Sequence, residues 1–156
     1  MGSGDNVKIL IKDRSEIEVL AQNPFDRCTA LISITDYGYD FAELKNKPQY
    51  LLQLTFDDVD NDVFDDEVDL PKQLVEEKYH MFTDVLAEKI AHFYKNIKGK
   101  AKVIICQCEH GQSRSAAVAA AIVEYENKNG IEIFANDKYF PNKMVFRKVY
   151  AHLSNG

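Results

Sequence analysis

Apolar side chains recur along this chain in two rhythms, and the way these alternate predicts its elements. Short runs rich in Ile, Leu and Val at residues 7–11, 30–35, 50–56 and 102–106 have the length of strands. Between them the spacing shifts to three and four. Residues 15–22 predict a brief amphipathic helix with Ser15 as its cap, interrupted at Asn23-Pro24. Asp36-Tyr37-Gly38-Tyr39 is turn chemistry, and residues 41–45 suit a helical turn before Lys47-Pro48. The longest helical pattern opens near Asp69, carries Pro71 in its first turn and closes at Lys98-Gly99. Within it Tyr79, Phe82, Leu86, Ile90, Phe93 and Ile97 make one apolar face, which reads as core packing. Residues 115–129 predict an alanine-rich helix stopped by Gly130, whose Ala116, Ala117, Ala119, Ala120 and Ala121 permit close approach to a sheet. Pro141-Asn142 then introduces a last helix carrying Val145, Val149 and Leu153.

Strands alternating with helices imply an α/β protein. At 156 residues the chain suits one buried core, so residues 7–156 read as a single domain and residues 1–6 as a tail outside it. A hydrophobic content of 46% fits a soluble globular protein, and no apolar run approaches the length that spans a membrane. The amino terminus has no basic-then-apolar secretory pattern, and three cysteines are an odd count, so a reducing cytoplasm is the expected compartment. The net charge of −6 argues against nucleic acid as a partner. Much of the acid excess falls in residues 57–69. There Asp58, Asp60, Asp62, Asp66 and Asp69 follow an EF-hand-like spacing, but Val63 takes the glycine position and Asp69 replaces the bidentate Glu. A solvated acidic loop fits better.

The chemistry concentrates where the last apolar run meets the alanine-rich helix, in Cys106-Gln107-Cys108-Glu109-His110-Gly111-Gln112-Ser113-Arg114-Ser115. An abrupt strand-to-helix turn leaves backbone N–H groups without carbonyl partners, at the positive end of the helix dipole. A phosphate dianion fits there. The same field favours the thiolate of Cys108, and Arg114 offers a planar fork of donors to two phosphoryl oxygens. Gly111 permits the turn. Cys106, Cys108 and His110 could also share one strand face as metal ligands, but no second ligand cluster exists for tetrahedral zinc.

The spelling Cys-x-x-Gly-x-Ser-Arg-Ser resembles the signature of the cysteine-dependent protein-tyrosine phosphatases, specifically their small dual-specificity branch. The resemblance covers roughly residues 50–153, including a Pro141-Asn142 element like one found after the signature loop in that branch. It implies a three-layer α/β domain, with a central, mostly parallel sheet flanked by helices. It also implies a phosphate monoester hydrolase that needs no metal or cofactor. Cys108 would be the nucleophile. Glu109, His110, Gly111, Gln112, Ser113 and Arg114 would hold the phosphate, and Ser115 would hydrogen-bond the departing sulfur. The general acid would be Asp57, at the end of the strand preceding the long helix, with Asp58 as the fallback.

One position departs from the family: Gln107 stands where His commonly precedes the nucleophile, so the thiolate is expected to lose a tuning partner. Glu109 and the acidic loop, if near, would disfavour the thiolate. Acids around Asp57 would keep it protonated and repel polyanions, and Glu109, His110 and Gln112 lack the lysines of phosphoinositide-specific loops. Phosphorylated proteins or small aryl phosphates are therefore the expected substrates. A phosphoprotein-binding module and a phosphatase for small metabolites or RNA 5′ ends are the alternatives. Cys28 reads as an ordinary buried thiol or as a redox partner for Cys108.

Overall fold

The computed structural model describes residues 7–155; residues 1–6, expected as a tail, lie outside the described residues. Its elements run β1 (Lys8–Lys12), α1 (Arg14–Leu20), β2 (Thr29–Thr35), β3 (Tyr50–Thr55), α2 (Val63–Asp66), α3 (Lys72–Lys78), α4 (Asp84–Ile97), β4 (Val103–Gln107), α5 (Arg114–Asn127), α6 (Ile131–Ala135) and α7 (Lys143–Asn155). The strands form one sheet in the order β1-β4-β2-β3, and every ladder is parallel. β4, which leads into the loop of residues 108–113, therefore lies inside the sheet between β1 and β2.

Strand alternation sorts the core onto two faces. Ala30, Ile32, Ile34, Ile104 and Cys106 pack with α4, α5 and α7, while Leu31 and Ile105 meet Ile17 of α1 and Ala42. Helices cover both sides of the sheet, giving three layers. The alanines of α5 are fully buried, as close helix-sheet approach requires.

Several elements differ from the sequence reading. The expected helix from Asp69 to Lys98 is two helices, because the chain breaks at Tyr79-His80. His80 takes φ +51, Met81 N–H bonds the Glu76 carbonyl at 3.0 Å, and Thr83 starts α4 by accepting from Leu86 N–H at 3.4 Å. The apolar stripe stays in register across this break, since Val75 on α3 and Phe82 beyond it are both fully buried. α1 is capped by Asp13 rather than Ser15: Asp13 Oδ1 accepts from Glu16 N–H at 2.7 Å and Glu16 returns the bond to Asp13 N–H at 2.9 Å. α5 ends at Lys128, in a left-handed conformation, rather than at Gly130. Residues 41–45 form no helix, while α2 and α6 arise where none was expected.

Phe82 packs against Phe56 with ring centroids 4.7 Å apart, under the loop that leaves β3. Phe82→Ala is expected to cost about 3–5 kcal/mol, read as a lower urea midpoint at unchanged slope.

Candidate active site

β4 delivers Cys108 to the carboxyl end of the sheet, where parallel α/β folds gather their ligands. Cys108 is buried, and its Sγ lies 3.1 Å from Ser115 Oγ in the first turn of α5. Its N–H reaches the Lys12 carbonyl at 3.4 Å. From there to the helix the chain runs without hydrogen-bonded turns. Among the described residues, the backbone N–H groups of residues 109–114 donate to no protein acceptor. A run of backbone donors without acceptors is what an oxyanion cradle consists of.

The loop is braced from outside. Gly111 has φ +65, and a Cβ there would stand 2.9 Å from Asp13 N and from Lys12 C, so both conformation and space exclude a side chain. Arg14 N–H bonds the Glu109 carbonyl at 3.2 Å, and the Arg14 guanidinium pairs with the Glu109 carboxylate at 3.5 Å. The Glu109 carboxylate is thus met by a cation.

Arg114 is buried. Its Nη1 donates to Asp36 Oδ1 at 2.6 Å and to the Phe56 carbonyl at 2.7 Å, while its Nε has no partner among the described residues. Both bonds use Nη1, so the edge formed by Nε and Nη2 keeps its two parallel donors for a ligand. Asp36, which sequence pattern reads as a turn residue, proves to hold the guanidinium.

The Gln107 amide is bonded at both its oxygen and its nitrogen. On the opposite strand face from Cys108, its Oε1 accepts from Ser33 Oγ at 2.5 Å and its Nε2 donates to the Cys108 carbonyl at 3.1 Å. The β2–β4 register, which sets Ser33 opposite Gln107, makes this bridge possible.

Asp57 and Asp58 are tied to different elements. Asp57 Oδ1 accepts from Tyr37 N–H at 2.9 Å, and Asp57 N–H bonds the His80 carbonyl at 2.8 Å. The Tyr37 ring stacks on His80 at 3.7 Å and 7°. Asp58 Oδ1 instead accepts from Ser113 Oγ and from Asn142 Nδ2, each at 2.9 Å. His110 and Gln112 are exposed at the loop surface.

The other cysteines take no part. Burial pushes the Cys106 thiol up to about 12, with the neighbouring Cys108 adding to the effect. Cys28 accepts at its carbonyl from Lys102 N–H, at the start of β4, and five residues at about 3.3 Å each separate that end from Cys108. A disulfide between them is out of reach. No group of three or more His, Cys, Asp or Glu side chains among the described residues is arranged to hold a metal ion.

No family model and no curated protein matches the chain. It is similar to two solved structures of PTPMT1. One, in complex with PI(5)P, is 16% identical with a TM-score of 0.48, covering 95% of this chain and 88% of that one. The second is 15% identical with a TM-score of 0.45, covering 95% and 90%.

Gln107→Leu removes the partner of two buried groups, Ser33 Oγ and the Cys108 carbonyl, and is expected to destabilise the protein by about 2–4 kcal/mol in urea unfolding. Cys106 is fully buried and its thiol is pushed up, so iodoacetamide at pH near 8 should leave it unmodified in the native protein and alkylate it after unfolding; peptide mass mapping checks both.

Proposed function

We propose that the chain is a phosphate monoester hydrolase working through a phosphocysteine, with phosphotyrosine or dual-specificity protein substrates. The observation that carries this reading is the pairing of Cys108 Sγ with Ser115 Oγ at the base of a loop of unpartnered amides, beside a buried arginine with one donor edge unused.

In the first step the Cys108 thiolate attacks phosphorus, so that an S–P bond forms as the ester P–O bond breaks. The proton of the Asp57 carboxyl group passes to the leaving oxygen. In the second step water forms a new P–O bond, its proton goes to the Asp57 carboxylate, and the S–P bond breaks to return the thiolate. Ser115 Oγ, already 3.1 Å from the sulfur, donates to it as it leaves. Glu109, His110, Gly111, Gln112 and Ser113 contribute backbone N–H groups, and Arg114 its Nε and Nη2, to the equatorial oxygens throughout. Every role falls to a group of the chain itself, so the scheme calls on no metal or cofactor.

Substrate preference follows from charge. The segment from Asp57 to Asp69 carries acids and no Lys or Arg, and it begins at the acid itself. An acidic segment that starts at Asp57 repels polyanions and tolerates a single dianionic phosphate on an aryl group.

Steady-state hydrolysis of para-nitrophenyl phosphate tests the reading. The wild-type protein should turn over and be inhibited competitively by vanadate, and Cys108→Ser should lose about 1,000-fold or more in kcat. Retained turnover in that variant would refute the phosphocysteine scheme. At physiological salt, kcat/KM for tyrosine-phosphorylated peptides should exceed that for inositol phosphates by about tenfold or more, and parity would contradict the charge argument.

A further inference from the structure

Of the adjacent pair Asp57-Asp58, we infer that Asp58 is not an acid in reserve but a positioning residue: its carboxylate latches the loop after β3 onto the signature loop, fixing where Asp57 stands. This rests on the phosphatase reading above.

The two carboxylates are aimed at different parts of the molecule. Asp57 is bonded to Tyr37, the neighbour of Asp36, and Asp36 holds Arg114; the acid and the phosphate clamp therefore share one support. Asp58 has the other side. Its Oδ1 takes a hydrogen from Ser113 Oγ, in the signature loop, and one from Asn142 Nδ2, just ahead of α7. An acceptor filled by two donors from two separate elements acts as a tether.

Asn142 makes the tether rigid. It is buried, with 6% of its surface exposed, and all its polar groups are used. Nδ2 also donates to the Val59 carbonyl at 3.1 Å, its own N–H bonds the Ser113 carbonyl at 3.2 Å, and Oδ1 accepts from Val145 N–H at 3.1 Å. One amide thus joins the acid loop, the signature loop and the start of α7. Asp58 is the charged point at which the acid loop enters this network, and charge-assisted bonds are the stronger ones. Through it the loop bearing Asp57 is docked before any substrate arrives.

The test uses a property specific to carboxylates. An amide at position 58 keeps the acceptor oxygen that receives Ser113 and Asn142, but it cannot carry an acid's proton. Asp57→Asn, Asp58→Asn and Asp58→Ala are compared with wild type on phenyl phosphate, a poor leaving group, and on para-nitrophenyl phosphate, a good one, across the pH range. Asp57→Asn should lose about 100-fold on phenyl phosphate, far less on the nitrophenyl ester, and lose the basic limb of the pH–rate profile. Asp58→Ala should lose about tenfold in kcat on both esters and keep that limb, while Asp58→Asn stays within about threefold of wild type. If Asp58→Asn loses as much as Asp58→Ala, and the basic limb with it, Asp58 is the acid and the inference is wrong. Full activity in Asp58→Ala overturns it equally.

Hydrogen exchange of residues 57–60 in the ligand-free protein supplies a readout that needs no turnover. Exchange should quicken about tenfold in Asp58→Ala and stay near wild type in Asp58→Asn. Equal exchange in Asp58→Ala and wild type means there is no latch. Failure of the phosphatase reading looks different: the wild-type protein would lack vanadate-sensitive turnover while the exchange pattern held.

Discussion

A backbone that passes from a buried strand into a helix, without a hydrogen-bonded turn between, leaves amide donors that the protein itself does not satisfy, and this constraint organises the site. Residues 109–114 contribute such donors, and the buried Nε of Arg114 adds another. On the proposed chemistry, a bound oxyanion is the partner that these donors lack within the protein.

A loop left with so many open bonds needs rigid supports, and the sheet order supplies them. β4 lies between β1 and β2, so the chain leaving it is flanked by the ends of both. The end of β1 and the turn after it press Lys12 and Asp13 against Gly111 and bring Arg14 to Glu109. β2 contributes Ser33 beneath Gln107 and, just past its end, Asp36 to hold Arg114. β3 adds the Phe56 carbonyl and the two aspartates. All four strands point the same way, which is why their carboxyl ends can converge on six residues of loop.

The parts legible in sequence were the local ones. Cys108, Gly111, Arg114 and the four strands are written in contiguous residues, and the structure brings the three residues into the one passage from β4 into α5. The supports are not local. Asp36 lies 78 residues from Arg114 and Ser33 lies 74 from Gln107, so no window of sequence pairs them. That Gln107 is held by Ser33 appears only once β2 and β4 are seen side by side. The break at His80 was hidden for another reason: the apolar stripe keeps its phase through it, and the positive φ is held by tertiary contacts, the Tyr37 stack and the bond to Asp57 N–H. The cap of α1 is a different case, since Asp13 and Glu16 already spell a capping box three residues apart, and Ser15 merely competes with it.

Both arginines at the signature loop are matched by carboxylates, Arg14 by Glu109 and Arg114 by Asp36, so the cradle has little net cationic charge from side chains. On the proposed chemistry, a dianion entering it is held mainly by oriented N–H dipoles and by the directed donors of one guanidinium edge. Dipoles act over short range and demand geometry, whereas net charge acts at a distance and selects on total charge alone. Acids following Asp57 extend this logic outward, because they add a repulsion that grows with each further phosphate on a ligand and is screened by salt. A site of this kind gains little from additional negative groups on its substrate. What it gains from is one phosphate, correctly shaped, and a leaving oxygen within reach of a proton, which is the chemistry of a monoester rather than of a polyanion.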